Sequence, residues 1–141
     1  MAFHILVVDD DPDVRDVLTR VLRRRGYVVE NAADGEEALA AVRAHDPDLM
    51  VLDVYLPKLS GLEVLHAIQR EDLHTRTIAV SGIPDDEMVR NTEQLGAVTF
   101  LAKPFDFPVL TEEIAANLVA AARAADVESG KPASRRRLRA V

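Results

Sequence analysis

At 141 residues, 48% apolar and 29% charged, the chain has the size and balance of one ordinary soluble domain with a single buried core. It contains no cysteine, which excludes disulfides, thiolate nucleophiles and zinc–thiolate centres. The net charge of -7 is uneven: residues 1–122 carry 11 Lys and Arg against 22 Asp and Glu, and residues 123–141 carry 6 against 2. So acidic a body is a poor ligand for duplex DNA, and direct nucleic-acid binding is not expected.

The apolar pattern changes period along the chain. "FHILVVD" (3–9) reads as a buried strand. It runs directly into three neighbouring carboxylates, Asp9, Asp10 and Asp11. A helix follows from Pro12 to Gly26, with Val14, Val17, Leu18, Val21 and Leu22 on one face and Asp11 as its N-cap. "YVVENA" (27–32) is a second strand with more alternation, and the helix after it opens with Asp34 and Glu37 at capping-box spacing. "DLMVLD" (48–53) is a third, almost wholly apolar strand, and Ser60 and Glu63 repeat the capping device. "TIAVSG" (77–82) and "VTFLAKP" (98–104) are the fourth and fifth strands, separated by the helix of "DDEMVRNTEQLG" (85–96). The last helix starts near Asp106 to Pro108 and runs through "VLTEEIAANLVAAARAA" (109–125).

Five strand–helix units in strict alternation, with short connections, require a parallel sheet covered by helices on both faces. The expected fold is α/β, a flavodoxin-like doubly wound sheet in the order 2-1-3-4-5 with five helices. Residues 1–125 form the domain. Residues 126–141, with "SRRRLR" (134–139), read as a basic, disordered tail or a linker remnant. No run approaches the roughly 18 apolar residues of a membrane span, and the N-terminus lacks a basic signal region, so a cytoplasmic location without membrane contact is expected.

In this topology chemistry gathers beyond the carboxyl ends of the strands, at the switch between strands 1 and 3. Those ends deliver Asp9 and Asp10, Asp53, Ser81 and Lys103 to one edge. Capping explains Asp11 but not three acids. Such a carboxylate cluster repels itself unless a hard dication such as Mg²⁺ offsets the charge. Lys103 adds a point charge able to reach a phosphate oxygen, and Ser81 a hydroxyl. The set suits phosphoryl transfer, with Asp53 as the nucleophile that becomes an acyl phosphate. Ser81 before Gly82 is also an ordinary turn, and Phe100 taken alone is core.

The segments "ILVVDDDP", "VLDVYLPKLSG", "AVSG" and "LGAVTFLAKPF" resemble, in order and on matching elements, the motifs of the receiver domain of two-component response regulators. The likeness covers about residues 3–122. It implies that Asp53 accepts a phosphoryl group from a histidine kinase or phosphotransfer protein. It implies Mg²⁺ on Asp10, Asp53 and the backbone carbonyl of Tyr55, with Asp9 acting through water. Lys103 would contact the phosphoryl group, with a cis bond to Pro104, and Ser81 and Phe100 would be the switch pair. The surface altered would be the fourth helix, fifth strand and fifth helix, read by a downstream protein target, by an effector domain or by a second copy in a phosphorylation-dependent homodimer. Such a module is not an enzyme beyond its own phosphorylation and autodephosphorylation.

Two other classes compete. An aspartate-nucleophile phosphohydrolase wants an acid two residues after the nucleophile, where this chain has Tyr55. A flavin binder wants a hydroxyl- and glycine-rich loop after the first strand, where three carboxylates stand. Tyr55 and Ile83 are expected to flank the entry to the phosphoryl group and to hinder water. Nothing after residue 125 is long enough for a DNA-binding domain, so stand-alone action through protein contacts is expected; the other reading is a fragment whose effector was removed. His4, His45, His66 and His74 are scattered in sequence and form no ligand set.

Overall fold

The computed structural model describes residues 2–129, with side chains described as far as residue 123. Strands β1 (His4–Val8), β2 (Val28–Ala32), β3 (Leu49–Asp53), β4 (Arg76–Ser81) and β5 (Thr99–Ala102) alternate with helices α1 (Pro12–Arg24), α2 (Gly35–His45), α3 (Gly61–Arg70), α4 (Asp86–Gln94) and α5 (Phe107–Ser129). All pairings are parallel, in the order β2-β1-β3-β4-β5. The sheet is the doubly wound one that the alternation of the sequence demands.

Why the strands are apolar throughout is visible in the two cores. On β1, Leu6 and Val8 face one core, with Ala38, Leu39 and Val42 of α2, Val64, Leu65 and Ile68 of α3, and Met88 of α4. Ile5 and Val7 face the other, with Leu18 and Leu22 of α1 and Leu110, Ile114 and Leu118 of α5. A strand buried on both faces cannot alternate apolar with polar. The edge strand β2 can, and its Val28 and Asn31 are exposed while Val29 and Ala32 are buried.

The helix starts follow their caps. Asp11 accepts from Asp13 N–H, and Asp85 from Met88 N–H. Ser60 and Glu63 form a complete capping box. Asp34 accepts from Glu37 N–H, but Glu37 Oε1 takes the N–H of Ala33, one residue before the cap, so this box closes differently from the expected one. On α1, Leu18 and Leu22 are fully buried, whereas Val17 is exposed despite sharing their face. Helix α5 continues through residue 125, the expected boundary, to Ser129. The rest of the expected tail, 130–141, lies outside the described residues.

Candidate functional site

The winding places the ends of β1, β3, β4 and β5 side by side. The chain leaves β1 at Asp9, which is buried, and turns into α1 through exposed Asp10 and Asp11. The turn is held by Asp11 N–H donating to Asp9 Oδ1 at 3.0 Å. Asp53 closes β3 and is buried; its Oδ1 accepts from Tyr55 N–H at 2.9 Å. Lys103 follows β5, and its backbone N–H donates to the carbonyl of Ser81 at 2.8 Å. Its bond to Pro104 is cis.

These side chains meet. Lys103 Nζ lies 2.5 Å from Asp9 Oδ2 and 2.8 Å from Asp53 Oδ2, so one ammonium serves two carboxylates. Asp9, Asp10 and Asp53 each bring a carboxylate oxygen to within 4.8 Å of the others. Burial pushes the Asp53 carboxyl above its ordinary value, and the nearby charge of Asp9 adds to that. The bonds from Lys103 and from Tyr55 N–H oppose the rise without cancelling it. Burial alone would lower Lys103, but its bonds to Asp53 and Asp9 outweigh burial and its pKa is raised. Three acids against one base leave negative charge uncompensated. An all-oxygen donor set of this kind fits a hard dication and could hold one; it offers nothing to a thiophilic metal.

Ser81 is fully buried at the end of β4, and its Oγ accepts from Ile83 N–H at 3.0 Å. It is therefore turned to its own loop. Phe100 pairs in register with Ala79 and packs, partly buried, against the core beneath α2, α3 and α4. Since Ala79 and Ser81 are two residues apart on β4, Phe100 shares the sheet face of Ser81. Tyr55 and Ile83 are 53% and 72% exposed, large apolar groups standing open on the loops that follow Asp53 and Ser81.

Two features escape a reading of the sequence. Arg15, in the first turns of α1, donates from Nη1 to the carbonyl of Asp9 at 2.6 Å and so pins the peptide between Asp9 and Asp10. The second is a groove of about 620 Å³ lined by Val14, Val17, Leu18, Pro104, Phe105 and Phe107, with Lys103 at its margin. Exposed Val17 lies on this groove, with Val14 and Leu18 of its own helix and the apolar residues of the β5–α5 connection.

A family model described as the response regulator receiver domain matches residues 5–115. The chain is 34% identical over 114 residues to sporulation initiation phosphotransferase F of Bacillus subtilis, covering 81% of this chain and 92% of that one. It is 34% identical over 115 residues to the chemotaxis protein CheY of Bacillus subtilis, covering 81% and 96%. Among solved structures, a CheY-like response regulator receiver domain protein from Methanospirillum hungatei superposes with a TM-score of 0.82 at 30% identity, covering 86% and 97%. Six other curated relatives are longer regulatory proteins, of which the chain spans 47% or less. With a family match over most of its length, on the fold and strand ends described above, the chain belongs to the response regulator receiver domain family.

Proposed function

We propose that the domain is a phosphorylation-operated switch in which Asp53 carries the phosphoryl group. The observation that carries this reading is the shared ammonium: Lys103 bridges Asp9 and Asp53 beside a third acid, Asp10. A carboxylate held in place, part-neutralised and next to a mobile cation is equipped to attack phosphorus.

Asp10 and Asp53, with the carbonyl of Tyr55 and with Asp9 through water, would hold Mg²⁺. The ion would supply charge neutralisation around the transferring phosphoryl group. The chain's own residues do the rest. A carboxylate oxygen of Asp53 forms the P–O bond while the P–N bond to the donor's phosphohistidine breaks, and the imidazole leaves with the electron pair. Tyr55 N–H keeps the other geometry of the carboxylate fixed. Lys103 Nζ exchanges its contact with Asp53 Oδ2 for a phosphoryl oxygen. Arg15 holds the Asp9 carbonyl so that the two strand-end acids keep their places.

The switch follows from the donor capacity of one hydroxyl. Ser81 Oγ accepts from Ile83 N–H, and its own O–H is the group that would donate to a phosphoryl oxygen. Phosphate thus stabilises the conformation that offers it Ser81 and Lys103, and Phe100 on the same sheet face repacks with it. The altered surface is that of α4, β5 and α5. The donor is a histidine kinase or phosphotransfer protein in the cytoplasm, and the apolar groove between α1 and the β5–α5 connection, with Lys103 in its lining, is the surface we assign to it. A downstream protein, an effector domain or a second copy then reads the switched face. The domain turns over no other substrate.

The test is labelling by a small phosphodonor with Mg²⁺. Wild type takes one acid-stable, base-labile phosphoryl group, and Asp53→Asn takes none. Label that survives in the Asn variant, or labelling indifferent to Mg²⁺, defeats the assignment.

A further inference from the structure

The connection from β3 to α3, residues 54–60, carries Tyr55 beside Asp53 and meets the start of α2 at two points. Lys58 Nζ lies 3.4 Å from Asp34 Oδ2. Gly35, the next residue along, is packed against the backbone of Leu59 too closely to admit a side chain. Asp34 is the N-cap of α2: its Oδ1 accepts from Glu37 N–H at 2.9 Å, which leaves Oδ2 for the ammonium. The N–H of Glu37 chiefly, with Lys58 beside it, holds the Asp34 carboxyl below its ordinary value against the effect of burial, so it is charged at neutral pH.

Lys58 has φ of 66°, in the left-handed region. Among the described residues the other non-glycine positions of this kind are Asp46 and Asp72. A short polar side chain tolerates that conformation by bonding the nearby backbone, whereas a lysine has no such help. A residue type that is awkward at this backbone position therefore stands where its long side chain reaches Asp34.

We propose, resting on Asp53 as the phosphoacceptor and the Tyr55 carbonyl as a metal ligand, that Lys58 is a positioning residue: its ion pair with Asp34 latches the β3–α3 connection to α2 and keeps the Tyr55 backbone on Asp53. The path is short. Tyr55 N–H donates to Asp53 Oδ1 at 2.9 Å, and only Leu56 and Pro57 stand between Tyr55 and Lys58. Leu56 and Leu59 pack against the core and fix the underside of the connection. Gly61 N–H donates to the Val54 carbonyl at 2.9 Å and closes the connection on itself. Lys58, whose side chain is 60% exposed, adds a charged tie on the solvent side.

An ammonium with no role but its charge predicts the opposite of a latch. A cation on the connection that leaves an acidic site weakens a bound dication, so its deletion would tighten Mg²⁺. Loss of a latch loosens Mg²⁺ instead. Lys58→Gly separates the latch from plain stability, because glycine relieves the left-handed residue while the tie is lost.

Amide hydrogen exchange without metal, and Mg²⁺ titration by calorimetry, test the latch on the full chain. In Lys58→Ala and Lys58→Gly the Tyr55 amide is expected to exchange about threefold faster and Mg²⁺ to bind about threefold more weakly, the scale of an exposed ion pair. Lys58→Gly nevertheless matches or exceeds the wild-type urea midpoint, so these losses do not follow stability. Lys58→Arg, which retains charge and reach, keeps both wild-type readings; Asp34→Asn, which still caps α2, loses both. Tyr55 exchange unchanged in Lys58→Ala, or Mg²⁺ held by that variant as tightly as by wild type or more tightly, overturns the proposal. Wild type that binds no Mg²⁺ overturns the metal reading instead, and the Tyr55 amide, read without metal, then decides the latch by itself.

Discussion

The ammonium of Lys103 sits 2.8 Å from Asp53 Oδ2, so the side chain that follows β5 closes over the side chain that ends β3. Both are largely shielded from water, and the same ammonium also holds Asp9. Removing it leaves three acids facing one another without a base. Lys103→Met is therefore expected to lose about 2 kcal/mol of stability at neutral pH, the scale of a part-buried charge stripped of its partner. Mg²⁺ should return more stability to the variant than to wild type, since it no longer competes with an ammonium. Urea unfolding with and without Mg²⁺ measures both effects, and an equal Mg²⁺ gain in the two proteins speaks against the shared-charge account.

Asp53 itself is expected to be held at a cost to the fold. Its carboxyl is raised above the ordinary value of 3.8 chiefly by burial, so the native state binds its proton more tightly than the unfolded chain does. For an acid shifted in this direction the sign runs opposite to that of a salt-bridged carboxylate. Stability is highest below the ordinary value and falls as pH rises through the raised one. Asp53→Asn, which mimics the neutral form, should be more stable than wild type near pH 7. The advantage should shrink as the pH is lowered through the raised pKa of wild type. A variant no more stable than wild type at pH 7 removes the argument.

Much of this was legible in the chain because period and position are coupled in a parallel sheet. Four apolar runs, those of β1, β3, β4 and β5, each lead to a polar residue at the carboxyl edge, and these are Asp9, Asp53, Ser81 and Lys103. Contacts that depend on side-chain reach were not legible. Arg15 meets a backbone carbonyl, an acceptor every residue offers, so nothing in the sequence singles out Asp9 as its partner. The contacts of His4 and His45 with Glu30 depend on the register of β1 with β2, in which His4 pairs with Val28 and Glu30 lies two residues on. A slip of one residue would turn Glu30 to the other face. Val17 fits the apolar stripe of α1 yet faces the groove, because helical periodicity says which residues share a face and not what covers them.

On the proposed function, Tyr55 and Ile83 are expected to set how long the phosphoryl group lasts. Each follows a site residue by two positions, and each is large, apolar and exposed. Ile83 is also fastened to Ser81 through its N–H, so movement of that hydroxyl toward phosphate moves the loop that carries the isoleucine. On the proposed function, the two side chains would hinder water that approaches the phosphoryl group. Tyr55→Ser and Ile83→Ser are each expected to hasten loss of phosphate by roughly tenfold, a barrier change of about 1.4 kcal/mol. The decay of isolated phosphoprotein in the absence of donor reads this directly. Rates unchanged in both variants would leave the pair as plain loop residues.

Gly35 tests how the loop after Asp53 is seated. A Cβ at this first residue of α2 would lie 1.8 Å from the carbonyl oxygen of Leu59 and 2.7 Å from its Cβ, so backbone and not a flexible side-chain tip stands in the way. The β3–α3 connection thus rests directly on the start of α2, where Lys58 Nζ also lies 3.4 Å from Asp34 Oδ2. On helix propensity alone, Gly35→Ala should gain up to about 1 kcal/mol. Overlap with packed backbone costs more, so a net loss of about 2 kcal/mol is expected. The displaced connection carries Tyr55, whose N–H holds Asp53, so Mg²⁺ affinity should weaken alongside stability. Gly96→Ala supplies the contrast. That glycine has φ of +96° and open space around it, so its substitution strains the backbone locally and should leave Mg²⁺ affinity at the wild-type value.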